Sequence, residues 1–446
     1  MNLQVAFMNK FPVLFPDSEG YILKAFTGSL SWDKPHTYSF LVKNLSFSIS
    51  LWPIIIVQST IMSYLLYCFF KTFKVSNAPL ATALASIVLS FTTGFSLYTS
   101  QIMPDIFAAA SILSLFLIFY QEDFSRWNKI ILTTIFILSA MTHVSHSFTG
   151  ILTLSVFTII NYFFLPKSLQ ISYTIRRLVF CFGLSIAPLV LVPLFHYSLS
   201  QEFFVTKTSH TFFMARMAEN GILDKYLNDN CDKENLKLCQ YKGAIPNSGA
   251  VFLWDSNSPV YLTDGWYDKD SEYKKIIKST LTHPKYLSLH IQESIKATFK
   301  QLFNFESGDG TGPVIISSIK ENFPLEYREY MNSEQFSGQL NFNALNYRQH
   351  FILLISLIII SSFLFVSELR ITSYYIRAIL FIFMGIFFNA FVTGTLSGVY
   401  WRYQGRVIWL IPLVVLALVF KYRKDLTQLM IKETKRIKSI KEFYES

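Results

Sequence analysis

Residues 52–70, WPIIIVQSTIMSYLLYCFF, run for 19 positions without an Asp, Glu, Lys or Arg. A helix needs about 20 apolar residues to cross the ~30 Å hydrocarbon core of a bilayer, so this stretch reads as a membrane span. Further apolar runs recur at about 79–99, 105–120, 130–147, 149–165, 178–197, 350–367, 377–397 and 405–420, which makes nine predicted helices. The whole chain agrees with that reading. At 52% hydrophobic, 17% aromatic with 44 Phe, and 15% charged, a 446-residue chain is too apolar for an ordinary soluble domain. The expected fold class is an all-α polytopic transmembrane bundle, with a mixed α/β or irregular extracytoplasmic domain between the sixth and seventh helices.

The intervals on one side of these runs are basic: KTFKVSN, YQEDFSRWNK, PKSLQISYTIRR and SELRITSYYIR, joined by the tail KYRKDLTQLMIKETKRIKSIKEFYES. The positive-inside rule makes that side, and the C-terminus, cytoplasmic. The net charge of +10 then reflects topology and contact with anionic membrane lipids. No pattern of charge and aromatics points to nucleic acid. The expected organisation is an extracytoplasmic first loop (1–50), six transmembrane helices (51–197), an extracytoplasmic soluble domain (198–349), three more helices (350–420) and a basic cytoplasmic tail (421–446). In the first loop, PHTYSFLVKNLSFSISLW reads as an interfacial amphipathic helix. The segment MNLQVAFMNKFPVLF is no signal peptide, and with 1–50 outside, a first helix is expected to be missing from this chain. The setting expected is a bacterial inner membrane.

In 198–349, the clusters GAIPNSG, WDSNSP and ESGDGTGP separate short candidate helices at 271–280 and 285–302. Cys231 and Cys239, in CDKENLKLC, are close enough to close a small loop, and a disulfide is predicted there; two free thiols are the alternative. A zinc site would need further ligands at metal spacing, and none is nearby.

The centres of the nine predicted spans carry no Asp, Glu, Lys or Arg, which argues against an ion-coupled transporter. Candidate functional groups gather on the outer side. FPDSEGYI brings Asp17 and Glu19, which a solvated loop would also explain. QIMPDIF brings Asp105, which a helix start would also explain. His143 and His146 share a helical face at a spacing that permits metal ligation, although interfacial hydrogen bonding needs no third ligand. Lys207, His210 and Arg216 follow the sixth run and suit an anion or plain solvent. Arg402 and Arg406, flanking Tyr403 and Gln404, sit where the positive-inside tendency disfavours them. Their i, i+4 spacing puts both on one face, so an anion is the expected partner; snorkelling anchors among belt aromatics are the alternative.

In order along the chain, FPDSEGYI, then DKPHTYSFLVKNLS and SLWPIIIVQSTIM, then LYTSQIMPDIF, and late YWRYQGRVIWLIPL, resemble the GT-C superfamily of polytopic glycosyltransferases. That group includes protein mannosyltransferases and lipid A aminoarabinose transferases. The resemblance spans roughly 12–200 by topology and 395–420 by local motif. It implies Asp17 as catalytic base with Glu19 as the other candidate, Asp105 as the second acidic residue, and Arg402 and Arg406, with Tyr403 and Gln404, binding the phosphate of a polyprenyl-phosphate sugar donor. Two departures stand out: the usual first helix is absent, and the large outer domain lies between the sixth and seventh runs. The residues suit the chemistry independently. A lipid phosphate leaves as an anion and needs no general acid, so one carboxylate and a set of cations suffice, unlike the two carboxylates of a glycosidase. The expected activity is inverting transfer of the sugar to a lipid, glycan or protein acceptor outside the membrane, with no certain cofactor and a divalent metal not favoured. A transporter or flippase of lipid-linked glycans, or a non-catalytic scaffold, are the alternatives.

Overall fold

A computed structural model describes residues 1–120, 124–167, 175–266, 272–314, 316–365 and 371–445. Among them, apolar helices run over Trp52–Thr72, Ala78–Thr92, Ile106–Tyr120, Arg126–Thr142, Ser145–Ile159, Ile175–Ser200, Asn343–Phe365, Ser373–Leu396 and Trp401–Ile408, the last continuing as Leu410–Lys421. Six of the described helices are long and apolar enough to cross a membrane, and the chain is an integral membrane protein with a helical polytopic fold.

Of the three apolar helices outside those six, Arg126–Thr142 has 17 residues and carries Arg126 and Lys129 in its first turn, and the other two are shorter still. Ala78–Thr92 and Ile106–Tyr120 have 15 residues each, about 22 Å at 1.5 Å per residue. Ile106–Tyr120 is buried along its whole length except at half-buried Ile118. A helix surrounded by protein is free of the length that lipid imposes. The expected single span at 79–99 is broken instead at Thr93–Gly94, where Thr93 is extended and the Gly94 N–H donates to Gln349 Oε1 at 2.7 Å. The chain resumes as Phe95–Ser100.

The bundle has two chemically distinct ends. At one, the Tyr374 and Tyr375 hydroxyls donate to Thr72 O and Phe73 O, both at 3.1 Å, and Arg177 donates to Phe119 O at 3.3 Å. These are the basic intervals of the sequence, of which 121–123, 168–174 and 366–370 lie outside the described residues. The other end carries the acidic first loop, Asp105 and the start of Trp401–Ile408.

The segment 198–349 is helical among the described residues where a mixed α/β or irregular domain was expected. It contains no strand among the described residues, because its apolar positions recur at helical spacing, as at Leu223, Tyr226 and Leu227. The polar clusters between them serve as caps: Ser248 and Ser258 accept the N–H groups of Val251 and Val260. The segment also divides. The described residues between Met214 and Tyr286 build a core of their own around Leu223, Phe252 and Ile276, with Cys231 and Cys239 joined as a disulfide on its edge. Ile316, Ile319, Phe323 and Tyr330 instead join the core of the bundle, where they meet Phe11, Leu14 and Ile22 of the first loop.

Candidate active site

The first loop and the turn before Ile106 are locked together by backbone pairing. The Val13 N–H donates to Ser100 O and the Ile102 N–H to Val13 O, both at 2.9 Å. Ser18 extends the lock: its hydroxyl donates to Ile102 O at 2.9 Å and accepts the Phe15 N–H at 2.9 Å. Helix Pro16–Thr27, with Pro at its first position and Asp17 and Glu19 in its first turn, is thereby tied to the approach to Asp105.

Side-chain amides hold the surrounding backbone at two points each. Gln335 accepts the Leu14 N–H at 2.9 Å and donates to Leu14 O at 2.6 Å. Asn346 pairs in the same way with Ser307, at 2.8 and 3.0 Å, and Gln301 with Tyr400, at 3.0 and 2.8 Å. Gln58, buried inside the first span, donates to Thr99 O and Gln101 O at 3.1 and 3.0 Å and accepts the Tyr38 hydroxyl at 2.9 Å.

Within this frame, carboxylates and cations converge. Asp105 and Arg406 form a buried pair, Nη1 to Oδ1 at 2.8 Å, with side chains 4% and 3% exposed. Asn389 Oδ1 lies 3.4 Å from the other arm of Arg406. Asp105 Oδ2 is buried and accepts no hydrogen bond. Arg402 lies one turn nearer the surface, 17% exposed, with Nη1 3.6 Å from Asp17 Oδ2 and 4.0 Å from Asp105 Oδ2. Both distances are attraction without a hydrogen bond. Its guanidinium is braced by the rings of Phe15 at 4.3 Å and Tyr403 at 5.1 Å. Lys34 approaches Asp17 from the other side at 3.3 Å, is also 3.7 Å from Asp33, and rides over the Tyr21 ring. Burial opposes the charge on Asp17, but Lys34 and Arg402 outweigh it and hold its carboxyl below the usual carboxylate value.

The remaining predicted residues fall elsewhere or take other tasks. Glu19 points away from Asp17 and caps helix Ser317–Asn322, accepting the Ser317 hydroxyl at 2.7 Å, the Ser318 hydroxyl at 2.6 Å and the Ser318 N–H at 3.1 Å. Tyr403 supports both arginines and shares a hydrogen bond with Ser397. Gln404 turns into the bundle toward Asn389 and Ile386 O. His143 bonds Ser145 and His146 bonds Ser139 O, with ring centres 5.7 Å apart. Among the described residues no three His, Cys, Asp or Glu side chains converge to hold a metal ion. Lys207 has its backbone against Trp32 O but turns its ammonium to Glu202 and the Phe204 ring. His210 lies on helix Ser209–Glu219, near Tyr273.

Sequence reading gave no site role to Lys34 or Asp309. Asp309 comes from the loop ESGDGTGP, which looked like a separator; its carboxyl faces the Arg402 backbone N–H. Burial, reinforced by Asp105 and opposed by Arg402, raises it above its usual value. The one available signal was an acid set among three glycines, two of them flanking it at positive φ, Gly308 and Gly310.

The fold and this cluster define a polytopic helical membrane protein with a charged centre at one end of the bundle. No family model and no curated protein matches the chain. A crystal structure of ArnT from Cupriavidus metallidurans in the apo state is similar over 94% of this chain and 75% of that one, at 11% identity and a TM-score of 0.33. A likeness that coarse carries no argument, and the functional reading rests on the geometry above.

Proposed function

We propose that the chain is a GT-C-like membrane glycosyltransferase that moves a sugar from a polyprenyl-phosphate carrier to an acceptor hydroxyl or amine on the extracytoplasmic face, with inversion. The observation that carries the reading is the placement of Asp17 between Lys34 at 3.3 Å and Arg402 at 3.6 Å. In the reaction, the acceptor attacks the anomeric carbon and its proton passes to Asp17. The bond from that carbon to the phosphate oxygen breaks, and its electron pair leaves with the polyprenyl phosphate. Protonation removes from Lys34 and Arg402 the nearer of their two carboxylate neighbours at the moment the leaving phosphate gains charge. The cations are thus freed for the transition state rather than for the ground state, which is the condition for lowering the barrier. Arg406 is already committed to Asp105, so the phosphate role falls on Arg402 and Lys34, and the buried pair serves to hold the helix Trp401–Ile408 that carries Arg402.

The test compares lipid-linked glycans and surface polysaccharide in cells with and without the gene, complemented with the parent or with Asp17→Asn. Asn copies the protonated carboxyl, so the variant should lose transfer while binding polyprenyl phosphate at least as tightly as the parent. Full complementation by Asp17→Asn would remove the acid–base argument.

A further inference from the structure

Away from the charged centre, a cavity of ≈250 Å³ opens where helix Ser209–Glu219 meets helix Pro284–Leu302 and the end of Ser373–Leu396. Its polar lining includes Arg216, His290, Ser294 and Thr395; Phe213 and Leu281 supply apolar wall. Arg216 is 3% exposed. It gives Nη1 to Glu219 at 2.7 Å, while its Nε is buried without a hydrogen-bond partner. The Thr395 hydroxyl is likewise buried without one. A buried N–H left unbonded loses the hydrogen bond it would make to water and destabilises the fold around it. Both residues line the cavity, and a ligand that enters it with acceptor oxygens would meet side chains that still have a donor to give; the guanidinium favours an oxyanion.

A second feature leads out of the same cavity. His290 and Ser294 line it from helix Pro284–Leu302. On that helix Ile291, Ile295 and Phe299, spaced four apart, are 53%, 53% and 57% exposed, and Phe303 follows at 77%. Such a stripe is one continuous apolar face. On an integral membrane protein, it supplies a track for a hydrocarbon chain whose head lies at Arg216. The neighbouring cavity, which shares Phe213 and Leu281, carries Lys274 and Lys278, so the surroundings also favour an anion.

We propose that this cavity and stripe bind an anionic lipid, with its phosphate or carboxylate on Arg216 and Thr395 and its chain along Ile291, Ile295 and Phe299. The site is separate from Asp17 and Arg402 and does not depend on their assigned role. In the purified protein in a nonionic detergent, titration calorimetry with dihexanoyl phosphatidic acid should show saturable binding. Inorganic phosphate should bind at least tenfold more weakly. Arg216→Gln should weaken the lipid at least tenfold and Thr395→Val about threefold, while Ile291→Ser with Ile295→Ser should weaken the lipid and leave phosphate unchanged. If Arg216→Gln does not fold, Thr395→Val carries the test, since it keeps the shape of the side chain and removes only the donor. The proposal is overturned by an absence of saturable binding, by lipid affinity within twofold of the parent in the folded cavity variants, or by phosphate binding as tightly as the lipid.

Discussion

Arg406→Ala and Arg402→Ala should behave oppositely, although the two arginines are four residues apart on one helical face. Arg406 and Asp105 are 3% and 4% exposed and 2.8 Å apart. Removing one partner of a buried pair leaves the other charged and desolvated, at a cost of about 3 to 5 kcal/mol. Loss of the Asn389 contact adds to that. Arg402 is more open, its nearest carboxylate oxygen is 3.6 Å away, and that carboxylate is 35% exposed. Solvent screening holds such a contact to about 0–1 kcal/mol, with up to about 1–2 kcal/mol more from the rings of Phe15 and Tyr403. Unfolding titrations in mixed micelles should therefore rank Arg406→Ala well below Arg402→Ala in stability, and donor binding should rank them in the reverse order among folded variants. The double variant Asp105→Asn with Arg406→Met should be less destabilised than the sum of its single changes, by about 1 to 3 kcal/mol. An Arg406→Ala cost under about 1 kcal/mol, the ceiling for an exposed pair, or strict additivity in the double variant, would refute the division into a structural and a phosphate-binding arginine.

Asp17 has a lowered pKa, so it is ionised through the neutral range and loses its base function only as pH falls through that lowered value. The acid limb of the transfer rate should lie below the unperturbed Asp value of about 3.9, and a limb at or above it would contradict the placement of Lys34 and Arg402. Glu19→Ala removes the cap of Ser317–Asn322 and should lower stability by about 1 kcal/mol with turnover per folded molecule unchanged; a collapse of turnover would return Glu19 to the reaction. At Gly310, φ is +66° and an added Cβ would lie 1.9 Å from Phe15 Cε2. Gly310→Ala should destabilise by about 1–3 kcal/mol and displace the ring that braces Arg402, which a loss of phosphate-lipid affinity in the folded fraction would reveal; parental affinity would show that the brace is dispensable.

The spans were legible because an uncharged run of bilayer length has few other readings, and the run at 52–70 folds as Trp52–Thr72. The internal break at Thr93–Gly94 was not legible, because it depends on Gln349, a residue from a distant helix. FPDSEGYI makes Asp17 the first candidate base and Glu19 the second, and Pro16 at the start of a helix implies that residues two apart point about 200° away from each other. Asp17 therefore meets Lys34 and Arg402, and Glu19 meets Ser317 and Ser318. The two arginines were read as equals. Four residues of helix advance about 6 Å along the axis, enough to carry Arg406 into the interior beside Asp105 and leave Arg402 at the rim.

The amides explain why so much of the site was hidden. A functional centre at the mouth of a lipid-embedded bundle is made of loops, and loop backbone there has unpaired N–H and C=O groups with limited access to water. Gln335 on Leu14, Asn346 on Ser307 and Gln301 on Tyr400 each bond both polar groups of one residue, as a neighbouring strand would. An amide is suited to this because it is donor and acceptor at once and carries no charge to desolvate. In sequence such residues look like ordinary polar positions, since nothing local marks the backbone they will meet. The charged side chains declare the chemistry, while the geometry between Asp17 and Arg402 is set by uncharged amides. Replacing Gln335 or Gln301 would therefore disturb the site through its backbone, even though neither side chain touches a charged group.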